Sequence, residues 1–220
     1  AQYIADYMGL ELEVVTVDFD GVLTELQTKS VDLGMAGLSP DPVREAAMDF
    51  SDIYYEGGQS LVTVKDNADT YNSTDAVNDP SVSVGAQTGS IQLDLAQKNS
   101  PDADIVSLPK VTDIISELLA GKLDAAYIET DVAKSYQKNY PDLEIVADVP
   151  YDVVGSSIGV SKGNAELLAA VNEAIAAAKA DGSLEEYIAE ANALASGEKY
   201  EGLLNENGEV AADETEAVTE

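Results

Sequence analysis

A single arginine and a few polar residues are the groups in this chain whose chemistry suits a charged ligand. Arg44 is the only arginine, and a guanidinium binds a carboxylate through two parallel hydrogen bonds. Glu129 carries a carboxylate that could receive an ammonium group, and Phe19 offers an apolar face. Thr88-Gly89-Ser90 could present backbone N–H groups and a hydroxyl to an anion at the start of a helix. Together these groups suit a zwitterion with a carboxylate at one end and an ammonium at the other.

Each of these residues also has a purely structural interpretation. Arg44 stands beside Glu45 and could be an ordinary charge on a surface helix. The Thr-Gly-Ser segment could simply cap a helix, which is the commoner use of such residues. Glu129 could be a solvated acid in the first turn of a helix, and Phe19 could belong to the core. The functional interpretation depends on whether the fold brings these residues together.

The composition excludes several kinds of chemistry, because the chain contains neither cysteine nor histidine. The lack of cysteine removes disulfides, thiolate nucleophiles and cysteine-bound metals. The lack of histidine removes the commonest general base, the Ser-His triad and most zinc sites. Residues 18–21, Asp-Phe-Asp-Gly, do not have the spacing of a calcium-binding loop. We therefore predict no catalytic residue, no metal and no cofactor.

The overall charge and hydrophobicity describe a folded, strongly acidic chain. It has 220 residues, of which 45% are hydrophobic, and a formal net charge of −31. That hydrophobic content supports a packed core, whereas such an acidic surface repels nucleic acid and anionic membranes. The sequence has no continuous apolar run of the roughly 18 residues needed to cross a membrane.

Strand and helix patterns alternate along the chain, which predicts an α/β protein with parallel sheets. Extended runs are expected at 53–64 and 153–160, and a helical turn at 73–77. The predicted strands cover 10–17, 32–36, 82–85, 105–108, 125–128 and 143–147, and the predicted helices cover 21–28, 41–47, 90–98, 111–120, 131–139, 165–180 and 184–193.

Two extended runs on either side of the middle block predict a two-lobed molecule. A chain that leaves one lobe and later returns must cross twice, so we expect residues 1–55 and 155–200 to form the first lobe and residues 56–154 the second. Two crossing strands would serve as a hinge. Residues 201–220 are rich in unpaired acids and predict a disordered tail. The opening residues resemble the end of a helix, so we expect sequence before Ala1.

The candidate ligand groups follow the predicted strands. In open α/β sheets, ligands bind beyond the carboxyl ends of the strands. Phe19 follows the first predicted strand and Glu129 follows the strand at 125–128. The complete set of predicted ligand-binding residues is Phe19, Gly37, Ser39, Arg44, Gln87, Thr88, Gly89, Ser90 and Glu129.

Several motifs in this order resemble those of the bacterial extracellular solute-binding proteins of family 3. The most specific is a block in which Gly37-Leu38-Ser39-Pro40 precedes Arg44 and then Asp49-Phe50-Ser51-Asp52-Ile53-Tyr54-Tyr55. The likeness covers about residues 1–195 and includes VDFDG at 17–21, LQTKSVDL at 26–33, VGAQTGS at 84–90, LDAAYIE at 123–129 and GVSKGN at 159–164.

The resemblance implies a two-lobed clamp of the periplasmic-binding-protein type II kind, which binds a polar amino acid and docks on the membrane permease of an ABC importer. It implies that Phe19 packs on the ligand, that Gly37 and Ser39 contact it, and that Arg44 binds its carboxylate with help from Thr88 and its neighbours. Glu129 stands where the family places the acceptor of the α-ammonium. A monomer at the extracellular face of the membrane or in the periplasm is expected, with any signal or lipid anchor before Ala1.

The sequence differs from the family pattern in two places, and two alternative functions stay open. The family's first strand and its aromatic loop are absent, and Asp41-Pro42-Val43-Arg44 replaces a Thr-x-Glu-Arg pattern. One alternative is a dehydratase of the cyclohexadienyl type, which uses the same fold. The other is the sensor domain of a receptor. The acidic surface argues against aspartate or glutamate as the ligand.

Overall fold

The computed structural model describes residues 1–152 and 155–195, which form eight helices, one 3-10 turn and eight strands. The helices are α1 (Gln2–Met8), α2 (Phe19–Thr28), α3 (Pro42–Glu45), α4 (Ile91–Asn99), α5 (Val111–Leu119), α6 (Thr130–Asn139), α7 (Ala165–Asp181) and α8 (Ser183–Ala195), and the 3-10 turn is Lys65–Asn67. The strands are β1 (Leu33–Leu38), β2 (Met48–Phe50), β3 (Gln59–Val64), β4 (Ser83–Gln87), β5 (Asp104–Leu108), β6 (Ala125–Glu129), β7 (Leu143–Asp148) and β8 (Ser157–Ser161).

The strands form two separate sheets, and this division confirms the mixed α/β, two-lobed class. One sheet has the order β1-β8-β2 and the other β5-β4-β6-β3-β7. We call the first sheet with α1, α2, α3, α7 and α8 the first lobe, and the second sheet with α4, α5 and α6 the second lobe. The expectation of parallel sheets is correct only for β4 with β5 and β6. All other pairs are antiparallel, because β3 and β8, the strands next to the crossings, run against their neighbours.

Alternating side chains give the larger sheet a core on each face. Successive residues of a strand point to opposite faces, so Leu61 and Tyr127 pack in one cluster with Val84 and Leu95 of α4. Their neighbours Val62 and Ile128 pack in the other cluster, with Ile114, Ile115 and Leu118 of α5. Helices therefore cover both faces of this sheet, and its strand ends are held in fixed positions.

The first lobe is built around Leu26 of α2, which is 1% exposed. Two glycines make room for it. A Cβ atom at Gly34 would lie 2.6 Å from the Leu26 Cδ1 atom, and one at Gly159 would lie 2.7 Å from it. Ser161 donates a hydrogen bond from its hydroxyl to the Leu26 carbonyl at 3.2 Å. These contacts fix α2 against β1 and β8, and so fix Phe19 at the start of the helix.

The predicted strand at 10–17 is wrong. The structure assigns no strand there, and Val14 and Val15 are 72% and 54% exposed. A pattern of alternating apolar residues forms a strand only beside a partner, and within residues 1–152 and 155–195 the sheet pairings include none for this segment. Within the extended run predicted at 53–64, the strand β3 begins only at Gln59.

Two connections join the lobes, and they pair with each other. Tyr55 and Ser156 form an isolated antiparallel bridge, in which the Ser156 N–H donates to the Tyr55 carbonyl at 2.7 Å. The Tyr151 hydroxyl donates to the Gly57 carbonyl at 2.9 Å. The predicted lobe boundaries, 1–55 with 155–200 and 56–154, stay a prediction. Residues 153–154 and the predicted tail at 201–220 lie outside the described residues.

Replacing Leu26 by alanine should destabilise the protein. Deleting a fully buried leucine side chain costs about 2–5 kcal/mol of unfolding free energy, and Leu26 packs against Leu38 and Met48 in the core of this lobe. Urea unfolding of Leu26→Ala measures the loss. Val43→Ala is the control, because Val43 is 82% exposed and its removal should change the unfolding free energy by less than about 0.5 kcal/mol. Equal losses in the two variants would show that α2 is not anchored in this way.

Candidate functional site

A cavity of about 260 Å³ lies between the two lobes and receives side chains from both. Six of the nine predicted ligand residues line it: Phe19, Gly37, Ser39, Arg44, Gln87 and Glu129. The first four come from α2, β1 and the region of α3, and the last two end strands β4 and β6. The structure therefore brings together the opposite charges and the aromatic ring that the sequence suggested.

Arg44 is held in place by three groups of the protein. The Asp41 side chain caps α3 by accepting from the N–H groups of Val43 and Arg44 at 2.8 and 3.1 Å, and it pairs with the Arg44 Nε atom at 3.1 Å. The Arg44 Nη1 and Nη2 atoms donate to the carbonyls of Ser39 and Gly89 at 3.1 and 3.0 Å. The Asp41-Pro42-Val43-Arg44 sequence therefore starts the short helix and orients the guanidinium.

Arg44 is almost completely buried, at 8% exposure. Burial lowers the pKa of the guanidinium, and the nearby Asp41 carboxylate opposes that shift. The Phe19 ring centroid lies 6.0 Å from the Arg44 Cζ atom, within reach of a cation–π contact. A cation desolvated in this way gains from an anion in the cavity, because the two charges interact strongly where water is excluded.

Glu129 supplies the opposite charge from the second lobe. Its Oε2 atom accepts a hydrogen bond from the Val132 N–H at 2.8 Å, which caps α6. Its Oε1 atom is buried and has no hydrogen-bond partner among the described residues. A Cβ atom at Gly57 would lie 2.5 Å from that oxygen, so the glycine leaves space for the carboxylate. Burial raises the pKa of Glu129, and the Val132 hydrogen bond opposes the rise.

The structure places Thr88, Gly89 and Ser90 beside the cavity, and none of them lines it. The Thr88 N–H donates to the Leu108 carbonyl at 2.9 Å. The Ser90 hydroxyl caps α4 by accepting from the Leu93 N–H at 3.3 Å. Gly89 accepts from Arg44 through its carbonyl. The Thr88 N–H and the Ser90 hydroxyl therefore have partners within the protein, and a role of Thr88, Gly89 and Ser90 in ligand binding stays a prediction.

Tyrosines of the connecting segments form cavity walls that the sequence analysis did not select. Tyr54, Tyr55 and Tyr151 line the cavity beside Tyr127 of β6. The Tyr55 hydroxyl donates a hydrogen bond to Asp131, and this bond lowers the pKa of the Asp131 carboxyl group. Their position in the sequence could have identified them. Three of these tyrosines lie in or next to the two segments predicted to cross between the lobes, where ligands of hinged proteins bind.

A larger groove of about 1360 Å³ adjoins this cavity. It runs along α1, α6 and α8 and shares Tyr54, Tyr55, Glu129 and Val132 with the smaller cavity. We place the candidate site in the smaller cavity, because both Arg44 and Glu129 line it. Of these two residues, Glu129 lines the groove and Arg44 does not. Among the described residues there is no group of three acids that could bind a metal, and no helix is long and apolar enough to cross a membrane.

The chain is similar to known proteins of one family. The model of the bacterial extracellular solute-binding proteins, family 3, matches residues 1–191. The arginine-binding extracellular protein ArtP of Bacillus subtilis (strain 168) is 33% identical over 190 residues, which are 84% of this chain and 72% of that protein. The L-cystine-binding protein TcyJ of Escherichia coli (strain K12) is 27% identical over 185 residues, covering 84% and 69% of the two chains.

Solved structures show the same similarity. An amino acid ABC transporter substrate-binding protein, AbpA of Streptococcus pneumoniae bound to L-arginine, has a TM-score of 0.83 and 34% identity, over 89% of this chain and 82% of that one. The ancestral amino acid-binding protein AncCDT-1, a precursor of cyclohexadienyl dehydratase, has a TM-score of 0.76 and 31% identity, over 84% and 79% of the two chains.

Replacing Glu129 by glutamine should stabilise the ligand-free protein at neutral pH. Because burial raises the pKa of Glu129, the folded protein binds its proton more tightly than the unfolded chain, and stability falls as pH rises through the raised pKa. Glutamine keeps the bond from Val132 without the charge. Melting temperatures of wild type and Glu129→Gln should therefore agree near pH 4 and separate toward pH 7, with the variant higher.

The control for this titration is Glu11→Gln, since Glu11 is exposed. Its melting temperature should follow the wild type across the same pH range. A Glu129→Gln variant that is no more stable than wild type at pH 7 would mean that the buried carboxylate is compensated within the protein.

Proposed function

This chain belongs to the bacterial extracellular solute-binding proteins of family 3, and we propose that it binds one free amino acid between its lobes as the substrate-binding component of an ABC importer. In this role it delivers the ligand to a membrane permease and carries out no chemical reaction. We propose further that it works as a monomer at the extracellular face of the membrane or in the periplasm.

The observation that carries this proposal is the presence of two opposite, desolvated charges from different lobes in one cavity. Arg44 lines the cavity from the first lobe and Glu129 from the second, and the Glu129 Oε1 atom has no hydrogen-bond partner among the described residues. A free amino acid carries an α-carboxylate and an α-ammonium that complement these charges. A ligand bound to both lobes stabilises their closed arrangement, since it makes contacts that the open arrangement lacks.

Cationic or neutral amino acids are the expected ligands. Relatives bind arginine and cystine, according to their names, and the structure of AbpA contains L-arginine. The net charge of −31 raises the local concentration of cations and opposes the approach of anions. Among the described residues, Glu129 is the only acid that lines the smaller cavity, and its charge acts in the same direction. We therefore place arginine, lysine and ornithine first among the ligands to be tested.

A dehydratase of the cyclohexadienyl type is the alternative function, and it deserves a test because AncCDT-1 is similar in structure. Such a reaction needs a proton donor beside the leaving group. Within the part of the chain that the structure describes, Glu129 is the only carboxyl group that lines the cavity, and in our proposal it binds the ammonium. Incubation with prephenate and arogenate therefore separates the two functions, because a binding protein leaves both compounds unchanged.

A thermal-shift measurement with the twenty amino acids and ornithine tests the proposed function. A ligand that binds only the folded state increases the unfolding free energy, by about 2.7 kcal/mol at a ligand concentration 100 times the Kd. The melting temperature rises as a result. We expect a clear shift with at least one cationic or neutral amino acid and none with aspartate or glutamate. No shift with any ligand, together with turnover of prephenate or arogenate, would contradict the proposal in favour of the enzyme.

Calorimetry on two variants tests the assignment of the charges. Arg44→Ala removes the two-pronged cationic donor, and Glu129→Gln removes the negative charge that faces the ammonium. Each should weaken binding of the selected amino acid by about 2–5 kcal/mol, roughly thirtyfold or more, since a buried ligand charge loses its partner. Folded variants with wild-type affinity would mean that the ligand lies elsewhere.

Two further variants are controls for that experiment. Glu45 is exposed on α3 next to Arg44, and Lys122 pairs with Glu117 on the far side of the second lobe. Glu45→Ala and Lys122→Ala remove charges from the same chain without changing the cavity lining. Both should bind the amino acid with an affinity close to that of the wild type.

A further inference from the structure

Gly89 makes a close contact across the gap between the lobes. It belongs to the turn between β4 and α4 of the second lobe, with a φ of +73°. A Cβ atom at this position would lie 3.0 Å from the Cβ atom of Asp20 and 3.4 Å from its Cα atom. Asp20 lies in the first turn of α2, in the first lobe. The Gly89 carbonyl also accepts the hydrogen bond from Arg44 at 3.0 Å.

The atoms that face Gly89 cannot move aside on their own. The Cα and Cβ atoms of Asp20 are fixed by the backbone of α2, unlike the end of a long side chain. The helix itself is anchored by the buried Leu26 between Gly34 and Gly159. A side chain at position 89 would therefore be accommodated only if the two lobes moved apart by a few tenths of an ångström or more.

The other closely packed glycines do not join the lobes in this way. Gly34 and Gly159 face Leu26 within the first lobe, and Gly85 faces Leu123 and Ile114 within the second. Among the described residues, Gly89 is the glycine whose potential Cβ atom would meet a helix of the opposite lobe.

We propose that Gly89 and Asp20 form a closure contact, in which the missing side chain at position 89 lets the second lobe seat against the start of α2. Neither residue lines the 260 Å³ cavity, so both are positioning residues that act through the closed arrangement and through Arg44. The inference rests on the proposed function, since closure matters to binding only if the ligand lies between the lobes.

The contact should control affinity without touching the ligand. When only a fraction of the molecules can adopt the binding-competent arrangement, the apparent Kd rises in inverse proportion to that fraction. A methyl group at position 89 disfavours the closed arrangement and leaves the open one unaffected. A closed population reduced about tenfold would then weaken binding about tenfold.

Gly121 offers a matched control for the conformational strain of the substitution. It has a φ of +68°, close to that of Gly89, and it lies in the same lobe between α5 and β6. A Cβ atom at Gly121 would meet no atom within 4 Å. Gly89→Ala and Gly121→Ala thus introduce a similar left-handed alanine, and they differ in the contact across the lobes.

The distance between the lobes can be measured directly, because the chain contains no cysteine. Gln27 on α2 and Gln97 on α4 are exposed, so Gln27→Cys and Gln97→Cys provide one spin label on each lobe. Double electron–electron resonance then gives the populations of short and long distances, without ligand and with saturating L-arginine or another amino acid that shifts the wild-type melting temperature. Calorimetry gives the affinity of each variant.

We expect the wild type and Gly121→Ala to have the same fraction of short label distances and the same affinity. Gly89→Ala should show a smaller short-distance population and bind about tenfold more weakly. Adding Asp20→Gly to Gly89→Ala removes the facing Cβ atom and should restore much of both. That rescue separates a contact between the lobes from a local defect in the β4–α4 turn.

Other results would overturn the inference. If Gly89→Ala keeps the wild-type distances and affinity, or if Gly121→Ala changes them equally, Gly89 has no role in closure. If no amino acid binds the wild type, the proposed function fails. The distances between the two labels without ligand then test the closure contact by themselves. A short-distance population that Gly89→Ala reduces and Gly121→Ala does not would still support it, and a wild type without any such population would contradict it.

Discussion

The guanidinium of Arg44 is buried at the junction of the two lobes, and the candidate site is arranged around it. Its three nitrogen positions contact Asp41, the Ser39 carbonyl and the Gly89 carbonyl, so its orientation is set by both lobes together. A buried cation with a single carboxylate partner is a costly group to maintain for stability alone. Its location in a cavity with an aromatic ring on one side suits the recognition of an anionic group.

The second lobe provides the complementary charge by the same structural means, at the end of a strand and the start of a helix. Glu129 ends β6 and caps α6 with one oxygen, while the other has no hydrogen-bond partner in residues 1–152 and 155–195. The sheet that carries it has a helix-covered core on each face, and the Val132 N–H holds its carboxylate at the start of α6. Two rigid lobes with fixed, opposite charges are pre-organised for a small zwitterion, which lowers the ordering cost of binding.

The sequence was sufficient to suggest that Arg44 and Glu129 lie close together, and both line the cavity between the lobes. Arg44 has no competitor of its type, and Glu129 follows a strand that is apolar throughout. The tyrosines at 54, 55 and 151 were missed because their role depends on how two distant connections pair, as Tyr55 and Ser156 do. The assignment of Thr88 and Ser90 to the ligand stays a prediction, and in the structure the Thr88 N–H donates to the Leu108 carbonyl and the Ser90 hydroxyl caps α4. The cap formed by Ser90 is a local pattern that was left open as an alternative, whereas Thr88 with Leu108 and Tyr55 with Ser156 join segments that are distant in sequence and that local patterns do not reveal.

The same limit explains which parts of the fold were predicted. Helices such as α5 follow from their apolar periodicity, and β6 from its buried run of residues. The segment at 10–17 has a strand pattern, but a strand depends on a neighbour that the pattern does not contain. The antiparallel course of β8 beside β1 is also a long-range property, since it depends on where the chain returns to the first lobe.

The central claim is that one cavity recognises both charges of a free amino acid. Calorimetric titration with the amino acid that binds most tightly, its α-carboxamide and its Nα-acetyl derivative tests this claim most directly. The α-carboxamide lacks the negative charge that faces Arg44, and the acetyl derivative lacks the positive charge that faces Glu129. We predict that each derivative binds at least about thirtyfold more weakly than the parent, because one buried charge of the protein loses its partner. Derivatives that bind as tightly as the parent amino acid would contradict the account.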